Sequence, residues 1–292
     1  MKKNYFALIL ILLVSMSCAQ EQRQTEQEKR IFIQLFSVNS VIQSDFSGTI
    51  AALAEMGYTG VELFGYDNGT WFGKSPAEIR HIVEDAGMTI VSSHIRRALA
   101  RNPEETNWDE LWNFWDTAIQ AHKEAGIKHM VIPSIGNDRL QSLEHVMAYA
   151  EYFNKLGARA NAAGLRFGFH NHDWVLTNKI DGVSVLDIWL KNTDPEKVFF
   201  QLDLYWVVRA GKDPVDYFNR FPGRFLSLHV KDTGVLGAPG IMNFCCIFNH
   251  LENSGAMYMI VEIEGVEDQM VAARESIEYL RGVSWWRNTY LD

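Results

Sequence analysis

Residues 198–229 read VFFQLDLYWVVRAGKDPVDYFNRFPGRFLSLH, and their reading decides the fold. The segment opens on VFFQLD, a short run apolar enough to be buried on both faces of a sheet. It closes on a second such run, RFLSLH, at 224–229. Between them, Asp213 stands before Pro214, where its side chain is expected to cap a helix rather than bind a ligand. The segment is one strand–helix–strand unit.

The same unit recurs on either side. Strands are expected at 31–36, 59–64, 88–93, 128–132 and 165–169 before it, and at 257–262 after it. Gly57, Gly87, Gly126, Gly164 and Gly255 each precede a strand, as glycines that end helices do. Helical spacing of apolar residues precedes them, as in Phe46, Ile50, Leu53 and Ala54. The stretch 138–163 is long enough for two helices. Eight strands alternating with helices predict an α/β chain closed into a (βα)8 TIM barrel. A single barrel domain is expected over 31–282, with 283–292 as a tail. The alternative is an open Rossmann-like sheet, but no GxGxxG follows any strand.

Composition supports a large core: 47% of residues are hydrophobic and 12% aromatic. Net charge is −9 with no basic block, which argues against a nucleic-acid partner and leaves a neutral small molecule open. At the amino end, Lys2 and Lys3 precede the apolar run Phe6 to Val14, and Ser15, Met16, Ser17 and Cys18 follow. This predicts a signal peptide over 1–17 and export. Cys18 after a small residue resembles a bacterial lipoprotein signal, which implies lipidation at Cys18, although Ser15 stands where such signals usually carry Leu. Residues 18–30 are polar and read as a flexible tether. The expected location is the periplasm, or a bacterial membrane surface through that anchor. Cys245 and Cys246 are adjacent, cannot build a disulfide framework, and are expected as buried apolar residues on a helix.

In a (βα)8 barrel the reacting groups lie where strands end. Strand 5 ends at His170-Asn171-His172-Asp173, strand 6 at Gln201-Leu202-Asp203, strand 7 at His229-Val230-Lys231-Asp232 and strand 8 at Val261-Glu262-Ile263-Glu264. His170, Asp203, His229 and Glu262 are therefore expected to face one point as metal ligands. A donor set of two imidazoles and two carboxylates suits one divalent ion of Mn, Zn, Co or Fe better than Mg or Ca. Gln34, Glu62 and His94 end earlier strands and Trp206 follows strand 6; these are the expected substrate-binding residues for a carbohydrate.

The stretches GVELFGY, SSH, GLRFGFHNHD, LDLYWVVRAGKDP, GRFLSLHVKD and IVEIE resemble the xylose isomerase-like TIM-barrel family, many of whose members are described as sugar phosphate isomerases/epimerases. The resemblance runs from about Ile31 to Leu280. It implies that Asp203, His229 and Glu262 match the family's metal ligands. His170 stands where many members carry Glu, so the proton relay between two metal-bound glutamates used by the family's ketose epimerases is not intact here. A metal at this place would polarise a carbonyl, and Glu262, His172 or Lys231 would serve as catalytic base for the adjacent proton.

Two enzymatic readings share that opening step. One is sugar isomerisation or epimerisation. The other is a keto-glycoside lyase, in which loss of the C2 proton of a 3-keto-glycoside expels the group at C1. Export favours substrates without phosphate. Phosphodiester cleavage, known on this fold, calls for a basic surface that the chain lacks. A sugar-binding lipoprotein without catalysis is the remaining class.

Overall fold

The computed structural model describes residues 30–283. The expected signal peptide, Cys18, and nearly all of the tether and tail lie outside those residues. Among the described residues, no helix is long and apolar enough to cross a membrane.

Eight parallel strands close into a barrel: β1 Phe32–Gln34, β2 Gly60–Leu63, β3 Thr89–His94, β4 His129–Ile132, β5 Arg166–His170, β6 Val198–Asp203, β7 Phe225–Val230 and β8 Tyr258–Val261. Each pairs with its sequence neighbours, and β1 closes the ring against β8. The helices that follow the strands are α1 Phe46–Met56, α2 Pro76–Asp85, α3 Trp108–Glu124, α4 Leu143–Ala162, α5 Val185–Asn192, α6 Pro214–Arg220, α7 Phe244–Phe248 and α8 Gln269–Gly282. The TIM barrel expected from the sequence is therefore the fold.

Local chemistry explains the boundaries. Asp213 does cap α6, its carboxylate accepting from the Val215 N–H at 2.9 Å. Ser75 and Glu78 form a reciprocal capping box at the start of α2, with Pro76 in the first turn. Gly57 ends α1 at φ 99°, a conformation in which a side chain is strained.

The stretch 138–163, long enough for two helices, holds one helix of 20 residues at Leu143–Ala162, preceded by a 3-10 turn at Asn137–Arg139. Two expectations are corrected. The first strand stops at Gln34, because the Gln34 side chain accepts from the Phe36 N–H and turns the chain into a 3-10 helix. Cys245 and Cys246 are exposed. On the five-residue helix α7, Phe244, Ile247 and Phe248 occupy the buried face, which leaves the two cysteines facing outward.

Two β-bulges shape the barrel interior. Val61 and Glu62 of β2 oppose Ile90 and Ser92, which skips Val91. Phe200 and Gln201 of β6 oppose Phe225 and Ser227, which skips Leu226. Each bulge sets two consecutive residues against one on the neighbouring strand, so the alternation of faces shifts by one residue beyond it. Val91 and Leu226 join the apolar filling of the barrel, with Phe32 and Ile260 or with Val131 and Phe199. Ser92 and Ser227 also turn inward, where they bond to Glu62 and Gln201.

Candidate metal centre and its cavity

The site is built on a buried polar layer. Glu62, fully buried, accepts from Gln34 Nε2 at 2.8 Å and from Gln201 Nε2 at 2.7 Å. Since its nitrogen serves Glu62, the Gln201 amide must present Oε1 as an acceptor. That oxygen faces His94 Nε2 at 2.8 Å and His170 Nδ1 at 3.2 Å. These bonds assign a proton to His170 Nδ1 and leave the lone pair of Nε2 free. His170 Nε2 points at Asp203 Oδ2, 4.0 Å away.

Asp203 has two distinct oxygens. Oδ1 accepts from the Trp206 N–H at 2.9 Å and caps the short helix Leu204–Arg209. Oδ2 is buried and has no hydrogen-bond partner. The backbone on either side is clamped by Asn171, whose Oδ1 accepts from the Asp203 N–H at 2.9 Å. Burial and the neighbouring Glu262 carboxylate push the Asp203 carboxyl above the usual range. An unpartnered carboxylate oxygen facing an imidazole lone pair is an electrostatic deficit that a cation would fill.

The other two expected ligands complete the cluster. His229 is paired in register with Asp203 across β6 and β7. Its Nε2 donates to Glu62 Oε1 at 2.7 Å and its Nδ1 lies 3.0 Å from Glu262 Oε2. Burial alone would lower His229, but Glu62 and Glu262 outweigh it and lift it to about 10. Glu262 is pushed up by burial yet held well below the carboxylate range by His229 and Lys231. One ligand atom from each of His170, Asp203, His229 and Glu262 lies within 4.8 Å of all the others. The donor set of two nitrogens and two oxygens fits a divalent transition ion. Glu62 then stands behind His229 as the carboxylate that orients a ligating imidazole.

A cavity of about 440 Å³ opens over this cluster, lined by His170, Glu262, His94 and His172, with Phe36 and Phe64 on its apolar side. His172 is pulled down to about 4 by burial, so its imidazole is neutral near pH 7; its Nδ1 is buried without a partner. Lys231 is buried and bonds Glu262 at 3.4 Å and Glu264 at 2.8 Å. Burial opposes its charge, but Glu262 and Asp203 prevail and keep it an ammonium. Trp206 packs behind His172, ring centroids 5.3 Å apart, with Lys231 5.0 Å over its face. Of the residues expected at the sugar, His94 lines the cavity, whereas Gln34 and Glu62 lie in the fully buried layer beneath. Sequence reasoning missed Phe36, Phe64 and Glu264 as lining residues. All three had a positional signal: Phe36 and Phe64 close the expected strands 31–36 and 59–64, and Glu264 stands two residues after Glu262.

A closed parallel barrel with such a cluster at its carboxyl end defines a class of barrel. Residues 50–283 match the xylose isomerase-like TIM barrel, and the chain belongs to that family. It is similar to a sugar phosphate isomerase/epimerase from Parabacteroides distasonis ATCC 8503, at 31% identity and TM-score 0.83, over 89% of this chain and 98% of that one. It is also similar to an inosose dehydratase of Lacticaseibacillus casei, 24% identical over 202 residues; the match takes in 64% of this chain and 63% of the relative's length. An inosose dehydratase of Geobacillus thermodenitrificans is 22% identical over 281 residues, covering 81% of this chain and 89% of that protein.

Proposed function

We propose that this protein is a metal-dependent enzyme that removes the proton beside the carbonyl of a keto-sugar, as a sugar isomerase or epimerase. The observation that carries the reading is the convergence of four buried ligand atoms, with Asp203 Oδ2 unpartnered among them, at the floor of a ligand-sized cavity. His170, Asp203, His229 and Glu262 would hold one ion of Mn, Zn, Co or Fe. When bound, such an ion polarises the carbonyl oxygen and stabilises the negative charge that proton loss creates. His172, neutral and lining the cavity, is a proton acceptor in reach of bound substrate. The Lys231 ammonium beside Glu262 adds positive charge where negative charge develops. Phe36 and Phe64 supply the apolar wall against which a sugar ring packs.

A second reading, elimination, is favoured by the similarity to inosose dehydratases and by an imidazole rather than a second carboxylate on β5. In that case the electrons of the broken C–H bond expel a group on the next carbon, which leaves with its bonding pair and takes up a proton. We also propose export and a lipid anchor at Cys18, supported by the Lys2-Lys3 and Phe6 to Val14 pattern. The substrate is then a non-phosphorylated carbohydrate outside the cytoplasm. Incubation of metal-loaded protein with ketoses and 3-keto-glucosides in D₂O tests the shared step. Deuterium in recovered sugar means isomerisation or epimerisation, and release of the C1 group means elimination. Conversion of substrate without any loss of the α-proton rejects both.

A further inference from the structure

Beside the cavity over the metal cluster lies a second, larger one of about 800 Å³. The two share two lining residues, Arg96 and His172, and so adjoin along one stretch of the barrel mouth. Each alone falls within the range of about 300–1,000 Å³ that small-molecule sites occupy. The inner cavity already accommodates the single sugar unit that the reaction needs, so the outer one is surplus to a monosaccharide.

The outer walls are built for a hydroxylated ring. Arg96 lies at the junction and makes no hydrogen bond or ion pair among the described residues. Its guanidinium carries five N–H donors on a residue that borders both cavities. Ser134, on the outer wall, likewise has a hydroxyl with no partner among the described residues. Trp174 lines the outer cavity, fixed by its Nε1–H to the Ile135 carbonyl at 2.9 Å. It stacks on His172, ring centroids 4.3 Å apart at 14°. His172 lines both cavities and therefore stands at the step between them. The neighbouring Arg97 is neutralised by Glu110, so the outer wall is not a cluster of free cations.

We propose that the cleft takes a two-unit carbohydrate: a keto-sugar in the inner cavity, linked to a second, neutral sugar ring held in the outer cavity by Arg96, Ser134 and Trp174. The inference rests on the keto-sugar reading above for the identity of the inner unit. The joint between the units passes between Arg96 and His172. A free monosaccharide in the inner cavity forgoes the outer contacts.

Calorimetry with unreactive cellobiose, glucose and glucose 6-phosphate tests the cleft apart from any chemistry. Cellobiose is expected to bind metal-loaded protein at least about tenfold more tightly than glucose, the equivalent of about 1.4 kcal/mol. Equal affinity overturns the proposal, and so does glucose 6-phosphate binding more tightly than cellobiose. Ala98→Trp places a bulky ring on the outer wall. It is expected to weaken cellobiose at least tenfold more than glucose, with the circular dichroism of a folded barrel; a uniform change in both ligands counts against the outer site. Arg96→Ala, which adds no bulk, should narrow the cellobiose preference in the same direction. In parallel, 3-keto-cellobiose and 3-keto-glucose are compared for α-proton exchange in D₂O. If cellobiose is preferred in binding while neither keto compound exchanges, the two-unit site stands and the keto-sugar reading fails.

Discussion

His122 on α3 offers a clean test of how burial sets the stability of this barrel. It is fully buried, with its Nδ1 donating to the Ala118 carbonyl at 2.7 Å. Nε2 is buried without a partner, and the ring lies 4.9 Å from Trp71 and 5.7 Å from Tyr66. A proton added to Nε2 would find aromatic rings and no acceptor. Burial accordingly lowers this imidazole to about 4, only partly opposed by the Ala118 carbonyl. An unfolded histidine titrates near 6.5, so between the two values the unfolded chain binds the extra proton and the fold does not. The contribution is fully present above about pH 6.5 and is lost as pH falls toward 4. A gap of about 2.5 pH units corresponds to roughly 3 kcal/mol in full and about 2 kcal/mol by pH 5. His122→Phe keeps the ring and removes the titration, at a cost near neutrality of about 1 kcal/mol for the lost hydrogen bond. Urea unfolding of both proteins near pH 7 and pH 5 isolates the effect by difference. The wild type should lose about 2 kcal/mol more than the variant between those conditions. Parallel losses would refute the reasoning and mean that the fold accommodates the charged ring.

Gly157 lies inside α4, where alanine propensity would favour substitution by about 1 kcal/mol. A Cβ there would sit 2.3 Å from the Lys197 carbonyl, which is backbone, so Gly157→Ala should instead destabilise by about 1 kcal/mol or more in urea melts. A more stable variant would show that the loop before β6 yields. Elemental analysis should find about one divalent transition ion per chain, and Asp203→Ala and His229→Ala should each abolish most of it; full occupancy in both rejects the centre. Mass spectrometry of protein from native membranes should find a mature chain that starts at a lipidated Cys18. A soluble form that keeps residues 1–17 would disprove export.

The strands were legible because a sheet covered on both faces needs continuous apolar runs, and VFFQLD matches its strand, Val198–Asp203, residue for residue. The cluster was legible because a closed barrel brings successive strand ends to one rim, so His170, Asp203, His229 and Glu262 converge. Its depth was not legible. Glu62 and Gln34 read as rim residues, yet the bonds to Gln201 and His229 hold them in the layer beneath. Nothing in a strand's own pattern reveals cross-barrel partners 139 and 167 residues away. The cleft beside the cluster was equally hidden, since Arg96 and Ser134 sit on loops without periodicity. Cys245 and Cys246 misled because a helix as short as α7 hides one face and shows the other.

The two bulges behave like frameshifts. A strand is written in an alphabet of two letters, in and out, and the residue skipped at Leu226 inserts one letter before His229. Because Leu226 and Ser227 both point inward, removing Leu226 would restore plain alternation and leave His229 opposite Asp203, at the cost of the apolar filling that Leu226 supplies. Val91 stands in the same relation to His94 on β3. Deletion of Val91 or Leu226 is therefore expected to loosen the core yet leave the histidine beyond it facing inward, whereas deletion of Leu228 would set His229 next to inward-facing Ser227 and turn its ring toward the helices. In this protein the geometry of the centre is set by how many residues precede it on the strand as much as by which residues form it.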